Sequence, residues 1–111
     1  MDSFTALADP TRRSILEMLG QQPHGAGDIV TRLRQAGAIS APAVSQHLKV
    51  LREAGLVKVR VDGQRRIYSL DPAGLDAMDA WIARVRGFWA SRLDALDQSL
   101  PLKEGFSKEE F

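Results

Sequence analysis

Pro42-Ala43-Val44-Ser45-Gln46-His47-Leu48-Lys49-Val50-Leu51-Arg52-Glu53-Ala54-Gly55-Leu56-Val57 is the stretch that decides the fold. Val44, Leu48 and Leu51 stand at i, i+4 and i+7, one face of an α-helix. At about 100° per residue, Ser45, Gln46, Lys49, Arg52 and Glu53 fall on the opposite face. Ser40 ahead of Ala41-Pro42 suits an N-cap with a proline in the first turn. Gly55 suits the left-handed residue that closes a helix. An amphipathic helix from Pro42 to Ala54 is expected. His47 lies on the flank of the apolar stripe, where a packed, hydrogen-bonded histidine and an outward contact both fit.

Downstream, Leu56-Val57-Lys58-Val59-Arg60-Val61 alternates with a period of two, the mark of a half-buried strand. Asp62-Gly63 is a hairpin turn signal. Arg65-Arg66-Ile67-Tyr68-Ser69-Leu70 returns, so basic residues stand near the tip of a β-hairpin. Asp71-Pro72 starts a long final helix reaching Leu96 or Ser99. Leu75, Met78, Ile82, Val85, Trp89, Leu93 and Leu96 repeat at three- and four-residue steps, and Trp81 and Phe88 widen the stripe. That width favours burial on two sides, one of them a partner. A fold-back within one chain, or a small-molecule pocket lined by Met78 and the tryptophans, are the alternatives. Pro101 ends the helix. The charged tail, 101–111, carries Phe106 and Phe111 and is expected to be flexible.

Upstream, Ser3–Ala8 reads as a short helix bearing Phe4 and Leu7. Asp9-Pro10 caps and starts the next helix, Thr11–Leu19, with Ile15, Leu16 and Leu19 on one face. Gly20 is expected to end it, leaving His24 in a loop. A further helix covers Ala26–Arg34, with Ile29, Val30 and Leu33 inward, followed by a turn at Gln35–Ala38.

Composition narrows the function. The 111 residues make one domain, 44% hydrophobic and 26% charged, ordinary for a soluble globular protein. No apolar run approaches the roughly 20 residues of a membrane span, and Met1-Asp2-Ser3-Phe4 does not resemble a secretory signal. The cytoplasm is the default location. The absence of cysteine removes disulfides and thiolate metal sites. Two histidines, His24 and His47, are too few for a plausible zinc site, so no metal and no cofactor is expected. No nucleophile elbow and no Gly-rich phosphate loop is present, which argues against an enzyme. The net charge is only +1, but residues 40–70 hold six basic side chains (Lys49, Arg52, Lys58, Arg60, Arg65, Arg66) against two acidic ones (Glu53, Asp62). A local basic patch is the electrostatic footprint of a nucleic-acid surface.

The helix pair Ala26–Arg34 and Pro42–Ala54, followed by a hairpin, has the order of a helix-turn-helix with a wing. In such motifs the second helix enters the major groove with its N-terminal residues on base edges. Ser45 and Gln46 are the first exposed side chains, and Gln can be bidentate to adenine. Lys49 and Arg52 suit phosphates, and Arg65 and Arg66 would bring the wing to the neighbouring backbone. A module that bound protein would present an acidic or apolar face there instead.

Ala8-Asp9-Pro10-Thr11-Arg12-Arg13-Ser14-Ile15-Leu16 resembles the opening helix of ArsR-family regulators. The Pro42–Val57 stretch resembles that family's recognition helix, and Asp62-Gly63-Gln64-Arg65-Arg66-Ile67-Tyr68 is similar to its wing. The resemblance spans about residues 5–98. It implies an α+β, mainly helical winged helix-turn-helix over 1–100, with a two-stranded wing and a long C-terminal helix. It also implies a homodimeric repressor on double-stranded DNA, at an imperfect palindromic operator of its own or an adjacent operon. DNA contacts then fall to Ser40, Ser45, Gln46, His47, Lys49, Arg52, Arg65 and Arg66. The family usually dimerises through its first and last helices, here Phe4, Leu7, Leu75, Met78, Ile82, Val85 and Trp89. Three departures matter. Gly25-Ala26-Gly27-Asp28-Ile29 stands where metal sensors keep a cysteine pair. The last helix has no histidine. The turn Arg34–Ser40 looks longer than usual, with Ala41 where many relatives have a polar side chain. Metal sensing is therefore not expected, and any small-molecule inducer is left unnamed.

Overall fold

A computed structural model describes residues 2–99, with side chains described through Leu96. The expected flexible tail, 101–111, lies outside them. The elements run α1 (Ser3–Ala6), α2 (Pro10–Gln21), β1 (His24–Gly25), α3 (Ala26–Ala36), α4 (Ala41–Glu53), β2 (Val57–Asp62), β3 (Arg65–Leu70) and α5 (Pro72–Ser99). Two compact units divide the chain within α5, after Met78. The first holds everything up to the opening turns of α5. The second, from Asp79, is described as the rest of that helix.

Side-chain caps start four of the five helices, at Asp9, Ser40 and Asp71 as the sequence suggests and also at Asp2. Asp2 accepts from Thr5 N at 2.8 Å, and Asp9 accepts from Thr11 N and Arg12 N at 2.8 and 3.1 Å. Ser40 accepts from Ala43 N at 3.2 Å, and Asp71 from Ala73 N at 3.1 Å. Each satisfies a backbone N–H that the helix cannot.

Inside the first unit, Ile15 and Leu19 of α2, Ile29 and Leu33 of α3, and Val44, Leu48 and Leu51 of α4 form one core with Leu56, Val57, Tyr68 and Met78. Every apolar position of the α4 stripe is buried, so its polar face is turned outward.

The far end of α4 is closed by a Schellman arrangement. Leu56 N donates to Leu51 O and Gly55 N to Arg52 O, both at 3.0 Å, with Gly55 at φ +78°. Three other residues meet this turn. Ser3 Oγ donates to Ala54 O at 3.2 Å, and Asp71 N to Leu56 O at 2.9 Å. Gly74, in the first turns of α5, lies so close that a Cβ there would overlap the Gly55 carbonyl group.

Four local expectations are corrected. Helix α2 passes through Gly20 to Gln21, because one exposed helical glycine costs only about 1 kcal/mol. The break comes at Gln22, extended at φ −170°, as the residue before Pro23 prefers. Helix α3 continues through Gln35 and Ala36, good helix formers, so the connection to α4 is the short Gly37–Ser40 rather than a long turn. The hairpin loop is Gly63-Gln64, with Asp62 paired to Arg65. Positive φ at Gly63 and not at Gln64 is the pattern of a type II′ turn.

The fourth correction concerns His24. It is no loop residue: it pairs with Tyr68 in β1, which makes the sheet three-stranded in the order β1-β3-β2. Its side chain is 5% exposed, with Nδ1 2.6 Å from Asp28, which also accepts from Arg32 Nε at 3.0 Å. Those two side-chain bonds, Arg32 first and then His24, hold the Asp28 carboxyl below its ordinary range.

Gly74→Ala should lower stability by about 1–3 kcal/mol, the usual cost of overpacking. Gly27→Ala, on α3 with open space at its Cβ position, should raise it by about 0.5–1 kcal/mol. Urea denaturation of the two variants checks the contrast; equal shifts would show that Gly74 is not a packing requirement.

Candidate nucleic-acid interface

The outward face of α4 carries Ser45, Gln46, Lys49 and Arg52, all exposed. No other side chain ties down Ser45 or Gln46 among the described residues. Ser45 and Gln46 sit in the helix's second turn, behind Ala41 and Pro42, which are also exposed. Ser40 is exposed too, but its hydroxyl is engaged as the cap of α4. Lys49 Nζ lies 3.9 Å from Glu53, a surface pair worth little and easily exchanged for another anion.

His47 is half-buried between the two faces. Its Nδ1 lies 3.3 Å from Arg12 Nη1 on α2. Arg12 also donates through Nε to Ala6 O at 2.7 Å. Beside them, partial burial pushes the Asp9 carboxyl up. The N–H groups of Arg12 and Thr11, with His47 and Arg12 alongside, outweigh that and hold it below the ordinary range. Arg12 was legible only as part of the Asp9-Pro10-Thr11-Arg12 run; its meeting with His47 spans 35 positions and has no local signal.

The wing separates Arg65 from Arg66. Neighbours along a strand point to opposite faces. Arg66 pairs with Val61, which is 72% exposed. Arg65 lies on the other face, folded over Gly25: a Cβ on that glycine would stand 3.1 Å from the Arg65 guanidinium. Both arginines line a cleft of about 410 Å³ against Gly25–Asp28 at the start of α3. Lys58 and Arg60 are exposed on the Arg65 face of the hairpin. Sequence reasoning counted these two in the basic segment without giving them a role.

The residues expected to form a dimer contact divide into two sets. Ile82, Val85 and Trp89 are exposed on α5, as are Trp81, Phe88 and Leu96, and Phe4 is exposed on α1. Leu7 and Leu75 are partly buried against the core, and Met78 lies within it. Arg92 stacks on Phe88, its guanidinium 5.1 Å from the ring centre. Among the described residues, no three His, Asp or Glu side chains gather as a metal site would need, and no helix is long and apolar enough to cross a membrane.

A helix-turn-helix domain model matches residues 7–60, from just after α1 into the first wing strand. The HTH-type transcriptional regulator Rv2034 of Mycobacterium tuberculosis is 45% identical over 96 residues, covering 86% of this chain and 83% of that protein. The ArsR-like transcriptional regulator from Rhodococcus sp. RHA1 superposes with a TM-score of 0.73 at 34% identity, covering 86% of each chain. The chain belongs to the ArsR family of helix-turn-helix transcriptional regulators. The transcriptional repressor SdpR of Bacillus subtilis is a further relative, 37% identical over 79 residues, covering 71% of this chain and 83% of that one.

As an ArsR-family regulator the protein has DNA as its partner, and α4 with the β2–β3 wing occupies the positions of the helix and wing of such motifs. Helix α2 matters because it carries Arg12 to His47, and its start depends on Asp9. Asp9→Ala should cost about 1 kcal/mol at neutral pH through loss of the cap. The folded-state pKa of Asp9 is depressed, so its contribution is present above the unfolded value and lost as pH falls through the folded one. Urea denaturation should show the gap between wild type and variant closing as pH drops from about 6 to about 3. A gap that stays constant would contradict a charged cap.

Proposed function

We propose that the protein is a homodimeric transcriptional repressor, independent of metal, acting in the cytoplasm on an imperfect palindromic operator of its own or an adjacent operon. The observation that carries this reading is the split of α4: Val44, Leu48 and Leu51 in the core, Ser45, Gln46, Lys49 and Arg52 outward. A rigid helix with short polar side chains near its N-terminal end fits the major groove, and its cations lie further along, where phosphates run. Repression is favoured by the likeness to SdpR, a named repressor. Metal independence is favoured by the lack of cysteine and by the prior engagement of both histidines, His24 with Asp28 and His47 with Arg12.

Dimerisation is favoured by the apolar side chains left exposed on α5. Monomeric proteins rarely expose large contiguous apolar patches. Two-fold symmetry then places two α4 helices about 34–36 Å apart, in successive major grooves. In this arrangement Ser45, Gln46 and His47 face bases, Lys49 and Arg52 face phosphates, and Arg66 is the cation on the Val61 face near the wing tip. Arg65, folded over Gly25, contributes less, and Ser40 acts through its cap.

Fluorescence anisotropy on DNA from upstream of the gene, against random DNA of equal length, tests the reading. Wild type should prefer the upstream DNA with or without zinc. Gln46→Ala should cost about 1–3 kcal/mol on that DNA and little on random DNA. Arg66→Ala should weaken both and reduce the salt slope by about one unit, whereas Arg65→Ala should change it less. Equal losses for Gln46→Ala on both DNAs would remove its role in reading sequence.

A further inference from the structure

His47 sits one residue beyond Gln46 on α4, yet its ring is held from behind by Arg12 of α2. A guanidinium has donors and no acceptor. With Arg12 Nη1 3.3 Å from His47 Nδ1, that nitrogen accepts in the neutral ring, whose single proton is then on Nε2. The Arg12 side chain is held in place on its other edge, because its Nε donates to Ala6 O at 2.7 Å. Among the described residues, no acceptor meets Nε2. His47 therefore carries one nitrogen fixed by the protein and one N–H with nothing to donate to.

We infer that Arg12 is a positioning residue for DNA recognition: it fixes the tautomer of the His47 ring, with Nδ1 accepting and Nε2–H donating, so that α4 offers this donor to an acceptor atom of the DNA. The inference rests on α4 being the helix that reads DNA. In this role Arg12 acts through His47 rather than on the DNA. It acts by choosing which nitrogen keeps the proton and by removing the ring's freedom to flip, since a flipped ring would offer Arg12 a carbon. A donor set in advance loses less freedom when it binds. The acceptor is a base-edge atom or a phosphate oxygen, and the two leave different marks: loss on the preferred DNA alone, or loss on all DNA.

The test uses the full chain in two measurements. In long-range 1H–15N spectra of the free wild-type protein above pH about 7.5, where an ordinary histidine is neutral, His47 should show a protonated Nε2 and a hydrogen-bonded, unprotonated Nδ1. His47→Gln assigns the signals. Arg12→Lys has one ammonium where two separate bonds are needed, so the Nδ1 signal should move to the position of a free imidazole. On DNA, Arg12→Lys should weaken binding about five- to tenfold, one hydrogen bond's worth. In the His47→Gln background, whose amide can donate without Arg12, the same change should matter less than about twofold. A merely structural role for Arg12 would give equal losses in both backgrounds, and that result overturns the inference. So does a wild-type His47 protonated on Nδ1. If Gln46→Ala weakens binding while Arg12→Lys and His47→Ala do not, this inference alone fails. If Gln46→Ala has no effect either, the DNA-reading role of α4 fails with it.

Discussion

The C-terminal turn of α4 is the constraint on which the first unit depends. A helix that must present one face to DNA has to be held at the other face and at its ends. Leu51 and Leu56, both fully buried, bracket the Schellman turn, and Gly55 supplies the left-handed residue that lets the chain reverse. The turn's carbonyls are then shared out: Ala54 O to Ser3 of α1, Leu56 O to the backbone of Asp71 ahead of α5. The chain leaves the same turn directly into β2. Gly74 completes the junction, because any side chain there would meet the Gly55 carbonyl. Two glycines are therefore needed at one point for different reasons, one for its φ and one for its missing Cβ.

With α4 held in this way, its chemistry divides cleanly. The apolar stripe supplies burial. The outward face holds an amide, a hydroxyl and two cations, without a buried partner that DNA would have to displace. The wing repeats the division at its tip, where strand alternation turns Arg66 out beside Val61 and Arg65 back over Gly25. Gly25 gives that guanidinium room, and β1 holds Gly25 by pairing it with Ile67. The short strand β1 thus joins the wing to the start of α3, and His24, clasped by Asp28, secures the join from the side of α3.

Most of the fold was legible because it is local. The α4 stripe, the caps at Asp9, Ser40 and Asp71, the closing role of Gly55 and the alternation of the wing strands each lie within a few residues of one another. What escaped was set by distant partners. Two residues of β1 carry no periodicity, and His24 becomes a strand residue only because Tyr68 lies beside it. Gly74 looks like an ordinary helical glycine until Gly55 is brought against it. Gly20 looked like a stop but was overruled, since Pro23 supplies the stronger break. At the candidate interface, the exposed residues of α4 follow from the wheel alone. The flank position of His47 showed that it was special but not why, because its partner is on another helix. The apolar width of α5 was plain, whereas the burial of Met78 among core residues required the packing of the first unit.

In the dimer proposed above, two copies of α4 related by a two-fold axis read DNA sequence. Selection by the purified protein from a pool of random duplexes tests it most directly. The account predicts enrichment of an inverted repeat whose half-site centres lie one helical turn apart, about 10–10.5 base pairs, or a whole multiple of it. A pool that stays random after repeated rounds, or that converges on a single unrepeated site, would contradict it.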